Sequence, residues 1–109
     1  MTINLKYDGK TYPLTYTRES VRRMESAGFD IQEFADGKRP ATLTYQLFEG
    51  AFAAQNRKVT RKTVSEIFEH VEDKTDLVAA LVEMYANTLT TMIGDETPDD
   101  GKKASWEAV

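Results

Sequence analysis

The single histidine, His70, follows Glu66 by four residues and stands close to Glu69 and Asp73. On a helix, positions i and i+4 share a face, so Glu66 and His70 are the pair best placed to touch one metal ion. Two side chains from a single turn make a weak ligand set, and the chain has no cysteine and no second histidine to complete it. A Ser-His-Asp arrangement would have to recruit the same His70, and no serine stands in a glycine-flanked elbow. Gly-rich phosphate loops and Walker patterns are missing too. The stretch DETPDDG, from Asp95, has the composition of a calcium loop but not its spacing. Its glycine comes one place late, Pro98 interrupts it, and the twelfth position is Trp106 where a bidentate glutamate is required. The sequence therefore offers no catalytic residue, no metal ligand set and no cofactor-binding motif, and it does not read as an enzyme.

Two other features are candidates for binding. In NRKVTRKT, residues Arg57, Lys58, Arg61 and Lys62 surround a turn between two expected helices, as a helix-turn-helix reader of DNA would arrange them. The helix that follows carries Glu66, Glu69, Glu72 and Asp73, which would repel phosphates along its length. Trp106 is a lone tryptophan in a polar segment, and an aromatic in that setting is a candidate anchor for a partner.

A chain of 109 residues has room for one domain with one modest core. At 40% hydrophobic and 10% aromatic residues it should fold. A net charge of −4 disfavours an extended nucleic-acid or anionic-membrane surface. Without cysteine there are no disulfides and no thiolate chemistry. The start, MTINLKYDGK, has no apolar run behind a basic beginning, so the cytoplasm is the expected compartment.

The expected architecture is α+β and mainly α: an amino-terminal β-hairpin, four or five helices, and a flexible tail. Residues 1–94 would form the domain and 95–109 the acidic tail. In INLKYDGKTYPLTYT, apolar residues alternate on both sides of Asp8-Gly9, a strong type I′ turn signal. A two-residue loop there pairs Tyr7 with Lys10, Leu5 with Tyr12 and Ile3 with Leu14, which puts both apolar sets on one face. Thr17 should cap a first helix ending at Gly28. A short second helix should run between Asp30, with Glu33 in capping-box spacing, and Gly37, turning Ile31 and Phe34 inward. After a KRP linker, Thr42 should cap a helix whose stripe is Leu43, Leu47, Phe48, Ala51 and Phe52. Gly50 within it costs about 1 kcal/mol relative to alanine unless a neighbouring backbone packs there. Thr60 should open a fourth helix with Val64, Ile67, Phe68 and Val71 on one side.

The last helix is expected after EDKT. From Leu77 to Gly94 only Glu83 is charged. The length approaches the roughly 17–25 residues of a membrane span, but Asn87, Thr88, Thr90 and Thr91 and the lack of basic flanks argue against one. A helix apolar nearly all round is buried in a core or against partners. Leu77, Leu81, Met84 and Tyr85 line one side, with Val78, Val82, Leu89, Met92 and Ile93 spread around it.

From Ile3 to Gly94 the order of elements resembles the tail assembly chaperones of long-tailed bacteriophages, particularly those of phages and prophages of Gram-positive hosts. The resemblance is carried by the hairpin INLKYDGKTYPLTYT, then RESVRRMESAGFDIQEF, a helical body, a final LVEMYANTL helix and a loose acidic tail. It implies a non-enzymatic protein of the host cytoplasm, without cofactor, that coats the tape measure protein and recruits tail tube subunits, with self-association into rings or spirals as one form. On that reading the partner-binding residues are Leu77, Leu81, Met84, Tyr85, Leu89, Met92 and Trp106. Methionine suits the task because it repacks around irregular partners. Family members are often made in two forms by a programmed frameshift, and Gly101, Lys102 and Lys103 can be encoded by a run of G followed by a run of A. ASWEAV would then belong to the short form alone. The alternative is a small helix-turn-helix regulator that uses the basic turn at 57–62.

Overall fold

The computed structural model describes residues 2–94, 101–102 and 104–108. Strands β1 (Ile3–Tyr7) and β2 (Lys10–Leu14) are followed by helices α1 (Arg18–Ser26), α2 (Ile31–Ala35), α3 (Pro40–Ala53), α4 (Arg61–Glu69) and α5 (Lys74–Ile93). The protein is thus mainly α with a small antiparallel β part.

The hairpin has the expected register, with Tyr7 opposite Lys10, Leu5 opposite Tyr12 and Ile3 opposite Leu14. Asp8 and Gly9 both have positive φ, at 49° and 77°, as a type I′ turn requires. Two strands cannot stand alone, and β2 is tied to α3. Asn56 donates from Nδ2 to the Pro13 carbonyl (2.9 Å) and to the Phe52 carbonyl (2.9 Å), Thr15 N–H donates to Ala51 O (3.1 Å), and the Tyr12 and Phe52 rings pack at 5.2 Å.

Helix α1 opens on a reciprocal cap. Thr17 Oγ1 accepts from Ser20 N–H (3.0 Å) and Ser20 Oγ accepts from Thr17 N–H (2.8 Å). It closes at Gly28 with Phe29 N–H on Met24 O and Gly28 N–H on Glu25 O, the paired bonds that satisfy orphan carbonyls at a helix end. Helix α2 closes in the same way at Gly37 and Lys38. Asp30 caps its start, accepting from Gln32 and Glu33 N–H. The reciprocal half of the capping box is replaced, because the Glu33 carboxylate pairs with Arg39 at 2.6 Å.

Helix α3 begins two residues before the expected Thr42 cap. Pro40 occupies the first helical position and Arg39, at φ 43°, precedes it as the N-cap, with no side-chain cap. Proline has no N–H to leave unsatisfied and its fixed φ suits a first turn, so the helix starts inside the KRP segment read as a linker. Helix α5 likewise starts at Lys74, ahead of the expected Asp76, after Asp73 at φ 51°.

All five predicted stripe residues of α3 are in the core, and α3 packs against β2, α1, α2, α4 and α5. The remaining core comprises Leu14, Tyr16, Val21, Met24, Phe29, Val64, Ile67, Leu81, Met84 and Tyr85. Ile31 and Phe34 are only half-buried, so α2 covers the edge of that core. The Gly50 position is explained by α1: a Cβ there would overlap the Met24 thioether, so the close neighbour is a side chain where backbone was expected.

Candidate functional site

The long last helix is the distinctive surface, and its construction follows from what covers it. Leu81, Met84 and Tyr85 are its only buried residues. Leu81 and Tyr85 are fully enclosed, and the Tyr85 ring meets Tyr16 edge-on at 5.3 Å and Phe29 at 5.1 Å. Leu77, Leu89 and Met92 are half-buried against the core. Of the residues expected to meet a partner, the structure therefore places Leu81, Met84 and Tyr85 inside the domain, where they hold the helix, and leaves Leu77, Leu89 and Met92 partly accessible. Trp106 stands apart, 87% exposed.

Around the helix, at 100° per residue, Asp76, Ala79, Glu83, Ala86, Asn87 and Thr90 point away from the core, and all are exposed. The outer face is thus made mostly of small or uncharged side chains. Along one shoulder run Val78, Val82, Leu89 and Ile93; the first three are half-buried and Ile93 is 77% exposed. This shoulder is the apolar surface that α5 presents. Val78, Val82 and Ile93 were visible in the sequence as apolar, but only the position of the hairpin, α1 and α3 shows that they fall outside the core.

The ends of the helix are pinned. Lys74 Nζ lies 4.7 Å over the Phe68 ring. At the other end Arg18 donates to the Thr91 carbonyl, placing a guanidinium where the helix dipole is negative. Thr88, Thr90 and Thr91 turn their hydroxyls back onto helix carbonyls, at 3.1, 2.9 and 2.7 Å. The threonines thereby spend their hydroxyl donors within the helix. Inside, the Tyr85 hydroxyl is buried with no hydrogen-bond partner. Burial, with Glu25 and Asp30 nearby, pushes its pKa up to about 12. Tyr16 is raised further by burial and donates to Leu47 O at 2.6 Å.

The other candidate residues lie apart from this surface. His70 ends α4 exposed, with Nδ1 2.8 Å from the Glu66 carbonyl and its ring 5.9 Å from Tyr7. Among the described residues no three histidines or carboxylates converge on a metal position. Arg57, Lys58, Arg61 and Lys62 are all exposed around the α3–α4 connection, with Arg57 3.8 Å from Glu19. Glu66 and Glu69 are exposed on the helix they introduce. Gly101 and Lys102 are exposed. Residues 95–100 of the expected tail and Lys103 lie outside the described residues. No helix among those described is long and apolar enough to cross a membrane.

Hairpin and five helices define a small, mainly helical α+β domain with an apolar shoulder on its last helix. The chain belongs to the DUF5055 family, described as a domain of unknown function, whose profile matches residues 1–109. No curated protein and no solved structure matches it.

Proposed function

We propose that this protein is a phage or prophage tail assembly chaperone that binds the tape measure protein, and tail tube subunits with it, in the host cytoplasm. The observation that supports the reading is the last helix. It has twenty residues, only Leu81, Met84 and Tyr85 are buried, and the only charged residues on its exposed side are Asp76 and Glu83. A helical, apolar client could lie along Val78, Val82, Leu89 and Ile93, with Ala79 and Ala86 allowing close approach of a second helix. The acidic remainder of the surface keeps such a complex soluble. The order of elements from Ile3 to Gly94 is what directs the choice of client.

The test is co-expression with a tape measure protein of a long-tailed phage. The expected result is a complex that survives high salt and is lost in Val82→Asp, with the free variant still folded by circular dichroism. A folded V82D that captures the client as the parent does would refute the shoulder as the contact. Binding of duplex DNA that weakens steeply with salt, and is lost on reversing Arg57 and Arg61, would favour a regulator using the basic turn. On the same proposal the message across Gly101–Lys103 is slippery, and a second, longer product lacks Trp106.

A further inference from the structure

The hairpin has two outer edges, and they are finished differently. A two-residue I′ loop makes Tyr7 and Lys10 a hydrogen-bonded pair, and bonded and non-bonded pairs alternate from there. Leu5–Tyr12 and Ile3–Leu14 are therefore bonded within the hairpin, whereas Lys6–Thr11 and Asn4–Pro13 point their backbone groups outward. On the β2 side that edge is closed. Pro13 has no N–H, its carbonyl accepts from Asn56 Nδ2, and the next outward donor, Thr15 N–H, is spent on Ala51 O. On the β1 side it is open. The sheet has two strands only, and among the described residues no hydrogen bond reaches the outward N–H and C=O of Asn4 or Lys6. Strand β1 also carries no proline and no bulge in its register with β2, two devices by which edge strands avoid pairing.

Ile3, Leu5 and Tyr7 pack towards the core from one face of β1, with the Tyr7 ring 5.9 Å from His70, while Asn4 and Lys6 are exposed on the other face. An open strand of this kind takes up another strand, and its own sequence specifies which. When β1 is laid antiparallel on a second β1 with Leu5 at the twofold axis, every residue from Ile3 to Tyr7 is paired. Each Asn4 stands opposite Lys6 of the other copy, and each such pair exchanges both backbone bonds. Lys6, the single charge of β1, thus meets a neutral partner. Leu5 meets Leu5 in a non-hydrogen-bonded pair, where side chains come closest, and Ile3 meets Tyr7. The apolar residues of both copies then share the face that each turns to its own core. Moving the axis to Lys6 would set like charges opposite each other, and moving it to Asn4 would leave Lys6 and Tyr7 beyond the other strand.

We infer that β1 pairs with β1 of a second copy, joining the two hairpins into one continuous antiparallel sheet across a twofold axis. An isologous contact of this kind closes on itself, so it gives a dimer and not the rings or spirals that a head-to-tail contact builds. It also supplies what the hairpin lacks, because a two-stranded sheet is marginal and further strands support it. Five residues a side bury less than the roughly 800 Å² per partner of a standard interface, so the pairing depends on protein concentration. This inference does not rest on the chaperone reading, since its residues lie on a different element from the shoulder on α5.

Sedimentation equilibrium of the full chain from micromolar to millimolar concentration, with amide hydrogen exchange read residue by residue, tests this. The expected result is a reversible monomer–dimer equilibrium in which the Asn4 and Lys6 amides become protected as dimer forms. Lys6→Pro removes an outward donor but no bond of the hairpin, as Pro13 does in β2, and should weaken dimerisation by about tenfold or more. Circular dichroism checks that the variant folds. Asn4→Lys sets lysines opposite each other at two symmetric places and should weaken the dimer too, whereas Asn4→Glu should strengthen it. Asn4 is exposed, so this pair of variants decides the matter even if Lys6→Pro does not fold. A chain that stays monomeric at millimolar concentration would overturn the inference. So would a dimer indifferent to both charges at Asn4, or one lost in folded Val82→Asp, which would place the contact on α5. Asn4 and Lys6 amides protected only when a tape measure protein is added, and not as concentration rises, would assign the edge to a strand of that client and overturn pairing between copies.

Discussion

Helices α3 and α5 are the two low-charge helices of this protein, and they are used in opposite ways. In α3, Glu49 is the only charged residue; five of its fourteen residues are buried, and it touches the other four helices and β2. In α5 only three of twenty are buried. The longer uncharged stretch is thus the less enclosed. The difference lies in neighbours. Helix α3 has α1, α4, α5 and the hairpin around it, whereas α5 packs chiefly on α1 and α3 and presents its far side outward. An apolar sequence shows that a helix seeks cover, and the number of elements available decides how much it receives within the chain.

The largest test of this contrast is Phe48→Ala. Phe48 is fully buried in α3 and stacks on Phe52 at 5.8 Å and Phe68 at 5.0 Å. Truncation removes transfer free energy and leaves a cavity between α3 and α4, with an expected loss of about 3–5 kcal/mol. Urea unfolding followed by circular dichroism measures it. A loss below about 1 kcal/mol, the range of exposed sites, would break the assignment of α3 as the centre of the core.

Much of this was legible before the structure. The hairpin register follows from two independent signals, the Asp8-Gly9 turn and the alternation of Ile3, Leu5 and Tyr7 with Tyr12 and Leu14, and both agree with the observed pairing. The α3 stripe was legible because its spacing is helical and its flanks are polar. The start of α3 was misplaced because a threonine in capping position competes with a proline, and the proline prevailed through its fixed φ. The orientation of α5 was not legible. Its outer face carries Asp76, Glu83, Asn87 and Thr90, but Ala79 and Ala86 lie among them and Val78, Val82 and Ile93 flank them, so the polar phase is narrow and the apolar residues do not show which of them are enclosed.

A smaller effect sharpens the inner face of α5. Tyr85→Phe removes a buried hydroxyl that has no partner, and should stabilise the domain by about 1–3 kcal/mol. The pH dependence carries the same signature. The Tyr85 pKa is raised from 10.0 to about 12 by burial, so above pH 10 the unfolded chain releases a proton that the folded one retains. Stability from this group is complete below pH 10 and is lost as pH rises from about 10 to about 12. Urea midpoints across that window should fall less steeply in Y85F than in the parent, with the other raised tyrosines, Tyr16 foremost, supplying the remaining slope. Equal slopes would mean that Tyr85 ionises alike in both states.

The smallest change in stability tests the outer face. Ile93 is 77% exposed in the last turn of α5, so Ile93→Asp removes little buried area. Its acidic side chain does face the negative end of the helix dipole, at a cost of about 0.3–1 kcal/mol. The unfolding midpoint should therefore hardly move, in contrast to Phe48→Ala, although both remove a large apolar side chain from a low-charge helix. What should change is association: a carboxylate at the end of the Val78–Val82–Leu89 line would have to be desolvated beneath an apolar client. Client capture compared at equal folded concentration reads this directly. A strongly destabilised I93D would show that the end of α5 is packed more tightly than its exposure implies, and the contrast between the two helices would then narrow to the middle of α5.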